Sequence, residues 1–369
     1  MPGIRAAVAR DRASVADSST FELDLKAYPA ISAIDLILRS TNGSTNNQAQ
    51  YIHDDVDTIE VLDGSRVIYS LSGIQCRSLN CYTMGRYPAV TFDEAANAVQ
   101  QELFRVEFGR HVGDPFYWFD PAQFQNPVLR VTISMTISAT VGFVTNTTVI
   151  SAIVHTWDGR PSGRRGTLLT KEYKSFTSAA SGDDRGRLPI DFPYRVVILR
   201  AFETAIAFDV DITQIKLTLD VDRYVPFDLR AEQLRDLNSE IFGRFDIPYQ
   251  IDRASDDVVV THLAYPRSVN CVALESDQLN GPDARTINEY TLQNLEFSTP
   301  AVATETTADI LMQFDVLGLG PHFAFALPFG DMKDPESWLD PSGFGTFEMV
   351  LTQGGAGAAV SYFGQQVMP

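Results

Sequence analysis

The chain has 369 residues, 44% of them hydrophobic, with 29 basic against 47 acidic residues and a net charge of −18. That length makes two domains the starting expectation, and the apolar share suffices for sizeable cores. A surface this acidic repels a phosphate backbone, which argues against a body that wraps nucleic acid, and three cysteines are too few and too odd in number for a disulfide framework, so a reducing compartment is the simplest reading.

The first twenty residues carry Arg5, Arg10 and Arg12 and no apolar stretch of signal-peptide type. No run of about 18 apolar residues marks a transmembrane helix. Residues 4 to 14 are Ala-rich and locally basic. They are expected either as a short helix, marginal in isolation, or as a frayed terminus. A functional role for them would be an arm docking on a neighbour, a membrane or a genome.

Beyond the arm the chain reads mostly as strands. Phe21, Leu23 and Leu25 alternate with Glu22, Asp24 and Lys26. Leu129, Val131, Ile133, Met135 and Ile137 alternate with Arg130, Thr132, Ser134 and Thr136. A period of two places one face in a core and one in solvent.

Two motifs occur twice. Gln75, Arg77, Leu79, Asn80, Gly85 and Arg86 return as Gln233, Arg235, Leu237, Asn238, Gly243 and Arg244, at an offset of 158. Asp114, Pro115, Trp118, Asp120, Pro121 and Phe124 return as Asp334, Pro335, Trp338, Asp340, Pro341 and Phe344, at an offset of 220. Weaker matches pair Phe104, Phe108 and Gly109 with Phe325, Phe329 and Gly330 at 221, and Ile37-Leu38-Arg39 with Ile198-Leu199-Arg200 at 161. Leu129 pairs with Met349, flanked by Phe347 and Leu351, again at 220. Two copies of one fold in tandem follow from this order.

The first motif is expected to be helical. Leu234, Leu237 and Ile241 share a face, Asp228 caps the start and Gly243 supplies the stop, with Cys76, Leu79 and Gly85 matching them in the first copy. Its Gln and Arg positions fall off the apolar stripe. They are expected to be solvated, with an interface helix as the alternative. The Asp-Pro motif is expected to be a rigid turn: Pro fixes φ, Asp bonds its own backbone downstream, and Trp plugs the loop into a core.

Residues 158 to 166 contain three Gly, one Pro and no apolar side chain, which marks a linker. Its Arg160, Arg164 and Arg165 are expected to be solvated, or else to meet an anionic partner. Arg86 to Asp114 spans 28 residues, whereas Arg244 to Asp334 spans 90. The second copy therefore carries a large insertion, at about 247–308, with Tyr249, Tyr265, Tyr290 and Phe297 in it. Inserted loops of that size are usually functional.

Catalytic signatures are missing. No Gly-x-Ser-x-Gly elbow, Gly-Lys phosphate loop or Gly-x-Gly-x-x-Gly occurs. Gly354-Gly355-Ala356-Gly357 reads as a turn. His53, His111, His155, His262 and His322 are scattered, and no His-x-His pair supports a cupin metal site. Asp54-Asp55, Asp183-Asp184 and Asp256-Asp257 read as solvated loop acids. No catalytic, cofactor-binding or metal residue is assigned, and no cofactor is expected.

Each copy, about 140 residues before insertions, has strand lengths that suit an eight-stranded jelly roll. Two such rolls in tandem, one long excursion and a short arm resemble the double jelly-roll major capsid proteins of tailless icosahedral viruses. That lineage includes membrane-containing bacteriophages and the adenovirus hexon. The resemblance covers about residues 20 to 369 and lies in architecture and duplication. It implies an all-β chain divided into an arm at 1–19, a first jelly roll at 20–157, a linker at 158–166 and a second jelly roll at 167–369, each roll with a short helix. It further implies a non-enzymatic shell protein, found in the virion after passing through the host cytoplasm. Its homotrimers would have a pseudo-hexagonal outline, and its partners would be neighbouring capsomers and penton or minor capsid proteins. The arm would meet an inner membrane or the genome, and there would be no dedicated nucleic-acid site. Two other readings stay open: a two-jelly-roll hydrolase (an amidase or glycan-cleaving enzyme) with convergent acids of shifted pKa at the barrel junction, and a receptor- or carbohydrate-binding spike with exposed aromatic residues on the insertion.

Overall fold

The computed structural model describes residues 3–47, 50–92, 96–203, 206–253, 257–261, 265–277, 281–287, 294–298 and 310–369, with side chains described except at 46 and 247–317. The first copy runs β1 (Ile4–Ser14), β2 (Ser18–Asp24), β3 (Ile31–Asn47), β4 (Val56–Asp63), β5 (Arg66–Leu71), helix α1 (Gly73–Met84), β6 (Val90–Thr91), β7 (Val99–Glu107), β8 (Pro127–Ser134), β9 (Val141–Phe143) and β10 (Val149–Trp157). One sheet has the order β1-β10-β3-β7-β6, with β9 beside β3; the strands β2-β8-β4-β5 form a second. Setting aside the short β6 and β9, the eight long strands fall in the order first, eighth, third, sixth against second, seventh, fourth, fifth. That order is a jelly roll. Alternate residues of both sheets, such as Ile34 and Leu36 from one and Leu129 and Val131 from the other, fill the core between them.

The second copy repeats the order. It runs β11 (Thr167–Thr177), β12 (Gly182–Arg187), β13 (Tyr194–Phe202), α2 (Phe208–Asp211), β14 (Ile212–Leu219), β15 (Tyr224–Arg230) and α3 (Ala231–Phe242). An excursion follows with β16 (Phe245–Arg253), β17 (Asp257–Thr261), β18 (Tyr265–Asp277), β19 (Gly281–Ile287), β20 (Asn294–Ser298) and β21 (Ile310–Leu319). The roll then closes with β22 (Ala324–Pro328), β23 (Phe347–Gln353) and β24 (Ala359–Met368). Its sheets are β11-β24-β13-β22 and β12-β23-β14-β15. The excursion pairs internally, as β16-β21-β18-β19 and β17-β20. Whether Tyr249, Tyr265, Tyr290 and Phe297 are exposed lies outside the described residues.

The two rolls are joined edge to edge. β5 pairs in parallel with β11, Tyr69 opposite Thr170 and Ser70 opposite Lys171. The sheet therefore continues from one copy into the next as β2-β8-β4-β5-β11-β24-β13-β22. Leu169, Val196, Ile198, Phe363 and Met368 of the second copy pack into the same apolar cluster as the first copy's core.

Residues 4–14 are not helical and do not leave the body. They form β1, antiparallel to β10 from Ile4 opposite Trp157 to Ser14 opposite Val149. An isolated helix of that length is marginal, whereas the open edge of β10 offers backbone partners along the whole segment. The Ile-Leu-Arg match at offset 161 also fails structurally. Ile31 pairs with Phe119 just as Tyr194 pairs with Leu339, so β3 and β13 correspond at 163. A slip of two residues keeps every side chain on its face, so the apolar pattern could not expose it.

The repeated Asp-Pro segments are turns, as the sequence indicates. In all four places the Asp side chain accepts from the backbone N–H two residues on: Asp114 from Phe116 (3.0 Å), Asp120 from Ala122 (3.1 Å), Asp334 from Glu336 (3.1 Å) and Asp340 from Ser342 (3.0 Å). Two residues after the strand that precedes each turn stands a glycine with no room for a side chain. A Cβ on Gly109 would lie 2.4 Å from the Tyr117 carbonyl oxygen, and one on Gly330 would lie 2.6 Å from that of Ser337. These are corresponding contacts in the two copies, which explains the repeated Phe-Gly. Trp118 and Trp338 are both buried.

Candidate functional site

The repeated helix is a clamp, and its residues carry different loads in the two copies. Gln75 and Gln233 do the same work: each side-chain oxygen accepts from the backbone N–H of the residue before its helix, Ser72 and Arg230, both at 3.0 Å. Asn80 and Asn238 also agree. Asn80 donates to the Arg105 carbonyl at 2.8 Å and accepts from the Arg105 N–H at 2.9 Å. Asn238 does both with Ala326, each at 2.8 Å. The amide stands in for an adjacent strand on the open side of β7 and β22, satisfying buried backbone groups. Arg230, not Asp228, is the N-cap of α3, and Asp228 belongs to β15.

The solvated Arg and Gln expected on the first helix are buried. Arg77 is fully enclosed, with its Nε 3.2 Å from Glu102 and Nη1 donating to the Leu103 carbonyl at 2.9 Å. Its guanidinium stacks over Tyr87 at 4.7 Å. His53 Nδ1 lies 2.9 Å from Glu102, and the His53 and His322 rings meet at 4.7 Å. Tyr87 Oη and His322 Nε2 are 2.9 Å apart, and Arg200 donates to the His322 carbonyl at 3.1 Å. Thus six residues from separate segments of the two copies converge on one buried polar cluster. No motif marks it, because its members lie at 53, 77, 87, 102, 200 and 322. Although burial raises the Glu102 carboxyl, His53 and Arg77 outweigh it and hold the pKa below the usual range. Burial and the nearby cations keep His322 neutral, well below the ordinary histidine value. Among the described residues no group of three or more His, Cys, Asp or Glu side chains is arranged to hold a metal ion. His262 lies outside the described residues.

Other residues singled out by sequence are in structural roles. Arg160 pairs with Asp120 at 3.1 Å, and Arg164 stacks over Trp118 at 5.3 Å, so these linker arginines dock on the first copy's own turn. Asp55 bonds Gln50 and Thr136, and Asp184 pairs with Lys174 at 2.7 Å. Asp256 lies outside the described residues. The turn at 354–357 instead closes over an acid pair that the sequence did not flag. Asp211 is fully buried, and its carboxyl faces that of Glu203. Burial, reinforced by Glu203, pushes its carboxyl up to about 7. Glycosidase-type work needs such an acid to reach a substrate. However, neither the groove along β15 nor the shallow polar one over Lys216 and Glu348 is lined by Asp211 or Glu203.

This acid gives a stability prediction. The folded pKa lies above the unfolded value, so the folded state holds a proton that the unfolded chain has lost. Stability is therefore fully present below about pH 4 and declines as pH rises towards 7. Asp211→Asn should remove that decline, giving a gain of about 2 kcal/mol at pH 8 and little at pH 4. Urea unfolding at the two pH values measures it, and an equal effect at both would reject the assignment.

The largest contrast between the copies is an open surface. At corresponding positions Gln75, Ser78 and Tyr82 of α1 are buried, while Gln233, Asp236 and Glu240 of α3 are exposed. Ile241, expected on the apolar face, is 49% exposed. The second copy covers α1: Tyr82 donates to the Ala324 carbonyl at 2.6 Å, and Gln75 reaches Ser361 at 3.1 Å. Among the described residues nothing covers α3 in the same way. Beside it, Tyr224, Phe227, Phe329, Trp338 and Phe344 line an open groove of about 450 Å³.

No family model matches the sequence. No curated protein matches it either. Solved structures do. The STIV MCP, from the Sulfolobus turreted icosahedral virus, aligns over 100% of this chain and 97% of its own, with a TM-score of 0.60 at 12% identity. The PBCV-1 virus capsid structure aligns over 99% and 93%, with a TM-score of 0.57 at 9% identity. The major capsid protein of bacteriophage PM2 aligns over 98% of both chains, with a TM-score of 0.51 at 9% identity. The fold is the double jelly roll. At such identities the likeness is one of fold, and it extends over whole chains rather than one barrel. In this double jelly roll the Asp-Pro turns of the two copies also touch: the Tyr117 and Trp338 rings lie 6.0 Å apart, and Arg195 bonds the carbonyls of Met332 and Arg110.

Proposed function

We propose that this protein is the repeating structural subunit of an icosahedral virus shell, a major capsid protein that acts as a homotrimer. Three chains would set six jelly rolls about one axis, a pseudo-hexagonal unit with six near-equivalent neighbours. The observation that carries this reading is the half-used interface. The first copy's helix and β5 edge are covered by the second copy, while among the described residues the second copy's helix and β15 edge stand open. A ring of alternating copies would cover both. The structures of similar fold, described as viral capsids or major capsid proteins, support the same reading.

Neighbouring capsomers and penton or minor capsid proteins are the partners this function requires. The virion is its location, after the host cytoplasm where the chains would assemble. A free arm reaching a membrane or genome is not carried into the proposal, because residues 4–14 are a sheet strand. The test is size and shape in solution. Light scattering should give three times the 40.8 kDa chain mass, and negative-stain images should show hexagonal outlines with threefold symmetry. A monomer at every concentration would sink the proposal.

A further inference from the structure

The open edges of this fold match each other as closely as the joined ones do. Within the chain, β5 and β11 pair in parallel. Their counterparts are β15 and β1, which sit at the ends of their sheets with no strand beyond them among the described residues. The correspondence is residue by residue. Phe227 lies opposite Leu217 as Tyr69 lies opposite Val61, so Phe227 and Asp228 match Tyr69 and Ser70. Ile4 lies opposite Trp157 and Leu168 opposite Val367, and each of those partners bonds the carbonyl just before β3 or β13. Both strands then bulge at the same place, β1 between Val8 and Arg10 and β11 between Glu172 and Lys174. Ala6 and Ala7 therefore match Thr170 and Lys171.

We propose that β15 takes β1 of a second copy as an added parallel strand, with Ala6 opposite Phe227 and Ala7 opposite Asp228. The join inside each chain is thereby repeated between chains. This deepens the shell-subunit reading and rests on it, since it names where copies meet.

Three features of these edges favour a second copy of this chain as the occupant. First, the outward row of β1 is apolar: Ile4 is 40% and Val8 61% exposed, with Ala6 exposed between them. Natural edge strands usually carry charge there to prevent pairing. The counterpart of Ile4, Leu168, is fully buried against Tyr117 and Trp338. Second, the groove along β15 is lined by the counterparts of Tyr69, Phe108, Trp118 and Phe124. In the first copy, Tyr69, Phe108 and Phe124 are sealed in one cluster with Leu169 and Met368 of the second copy. Third, the charges complement. Arg5, Arg10 and Arg12 on β1 are exposed or nearly so and make no ion pair among the described residues, while Asp228, Glu232, Asp236 and Glu240 are exposed on β15 and α3. Pro226, which lacks an N–H, matches Ile68 and lies before the two paired positions, so it does not remove a donor from them. Strand addition of this kind draws affinity from main-chain bonds.

The test combines Ala7→Cys with Asp228→Cys in a Cys271→Ser background, Cys76 and Cys81 being buried. A short bis-maleimide should then link chains into dimers and closed trimers, and neither single variant should. Ala6→Glu, at an exposed site of the free chain, should weaken association about tenfold while leaving the melting temperature of the dissociated chain unchanged. If light scattering gives trimers but the double variant does not cross-link and Ala6→Glu leaves association unaltered, the strand pairing is overturned and the shell reading stands. If the chain is monomeric throughout, both fall.

Discussion

Arg77→Met is expected to lower the unfolding free energy by about 3–5 kcal/mol, the usual range when one partner of a buried ion pair is removed. Arg77 and Glu102 are both fully buried, and the carboxylate would be left with the His53 ring as its neighbour. Methionine fills much of the space, so cavity formation contributes little and the loss reports the stranded charge. The double variant Arg77→Met/Glu102→Leu should recover part of it, because no charge is then left without a partner. Urea unfolding of the three proteins decides the matter. A loss under about 1 kcal/mol for Arg77→Met would show that water reaches the cluster, contrary to its burial. The cluster joins β7 and α1 to the turn bearing His322, whose φ of 56° is unusual for a non-glycine residue. Weakening it should therefore also loosen the hold of the second copy on the first.

Trp338→Ala is expected to cost about 3–5 kcal/mol, as large aromatic truncations in packed sites do. The ring lies against Tyr117, Leu168 and Val367 and donates from Nε1 to the Asp331 carbonyl at 2.8 Å. It also sits beneath the Arg195 guanidinium at 6.0 Å. Its loss therefore empties a site where both copies meet, and it removes the plug of the second Asp-Pro turn. Thermal unfolding with near-ultraviolet circular dichroism reads both effects. A change of less than about 1 kcal/mol would mean that the turn is held by its Asp-Pro chemistry alone.

The turns, helix stops and strands were legible because their causes are local. Four Asp-Pro pairs make four side-chain-to-backbone turns, and Gly85 and Gly243 end their helices at positive φ, wherever the rest of the chain goes. Alternation of Leu129, Val131 and Ile133 buries one face of β8, and Phe347, Met349 and Leu351 do the same for β23. It stops at Ile137, which is 45% exposed and lies beyond the strand, because a pattern marks a face and not an end.

By itself, then, the sequence determined that this chain holds two copies of one β-rich unit, with a repeated helix, a repeated turn and one long insertion. Tertiary structure decided what those parts touch. Residues 4–14 became a strand because β10 had an open edge, which no local propensity encodes. Gln75 went under cover while Gln233 stayed exposed, although the motif is the same, because the second copy packs against the first helix. The charged cluster of His53, Arg77, Glu102 and His322 exists only once those segments meet. Burial is a property of neighbours, and in this chain many of the neighbours that matter lie far away in the sequence.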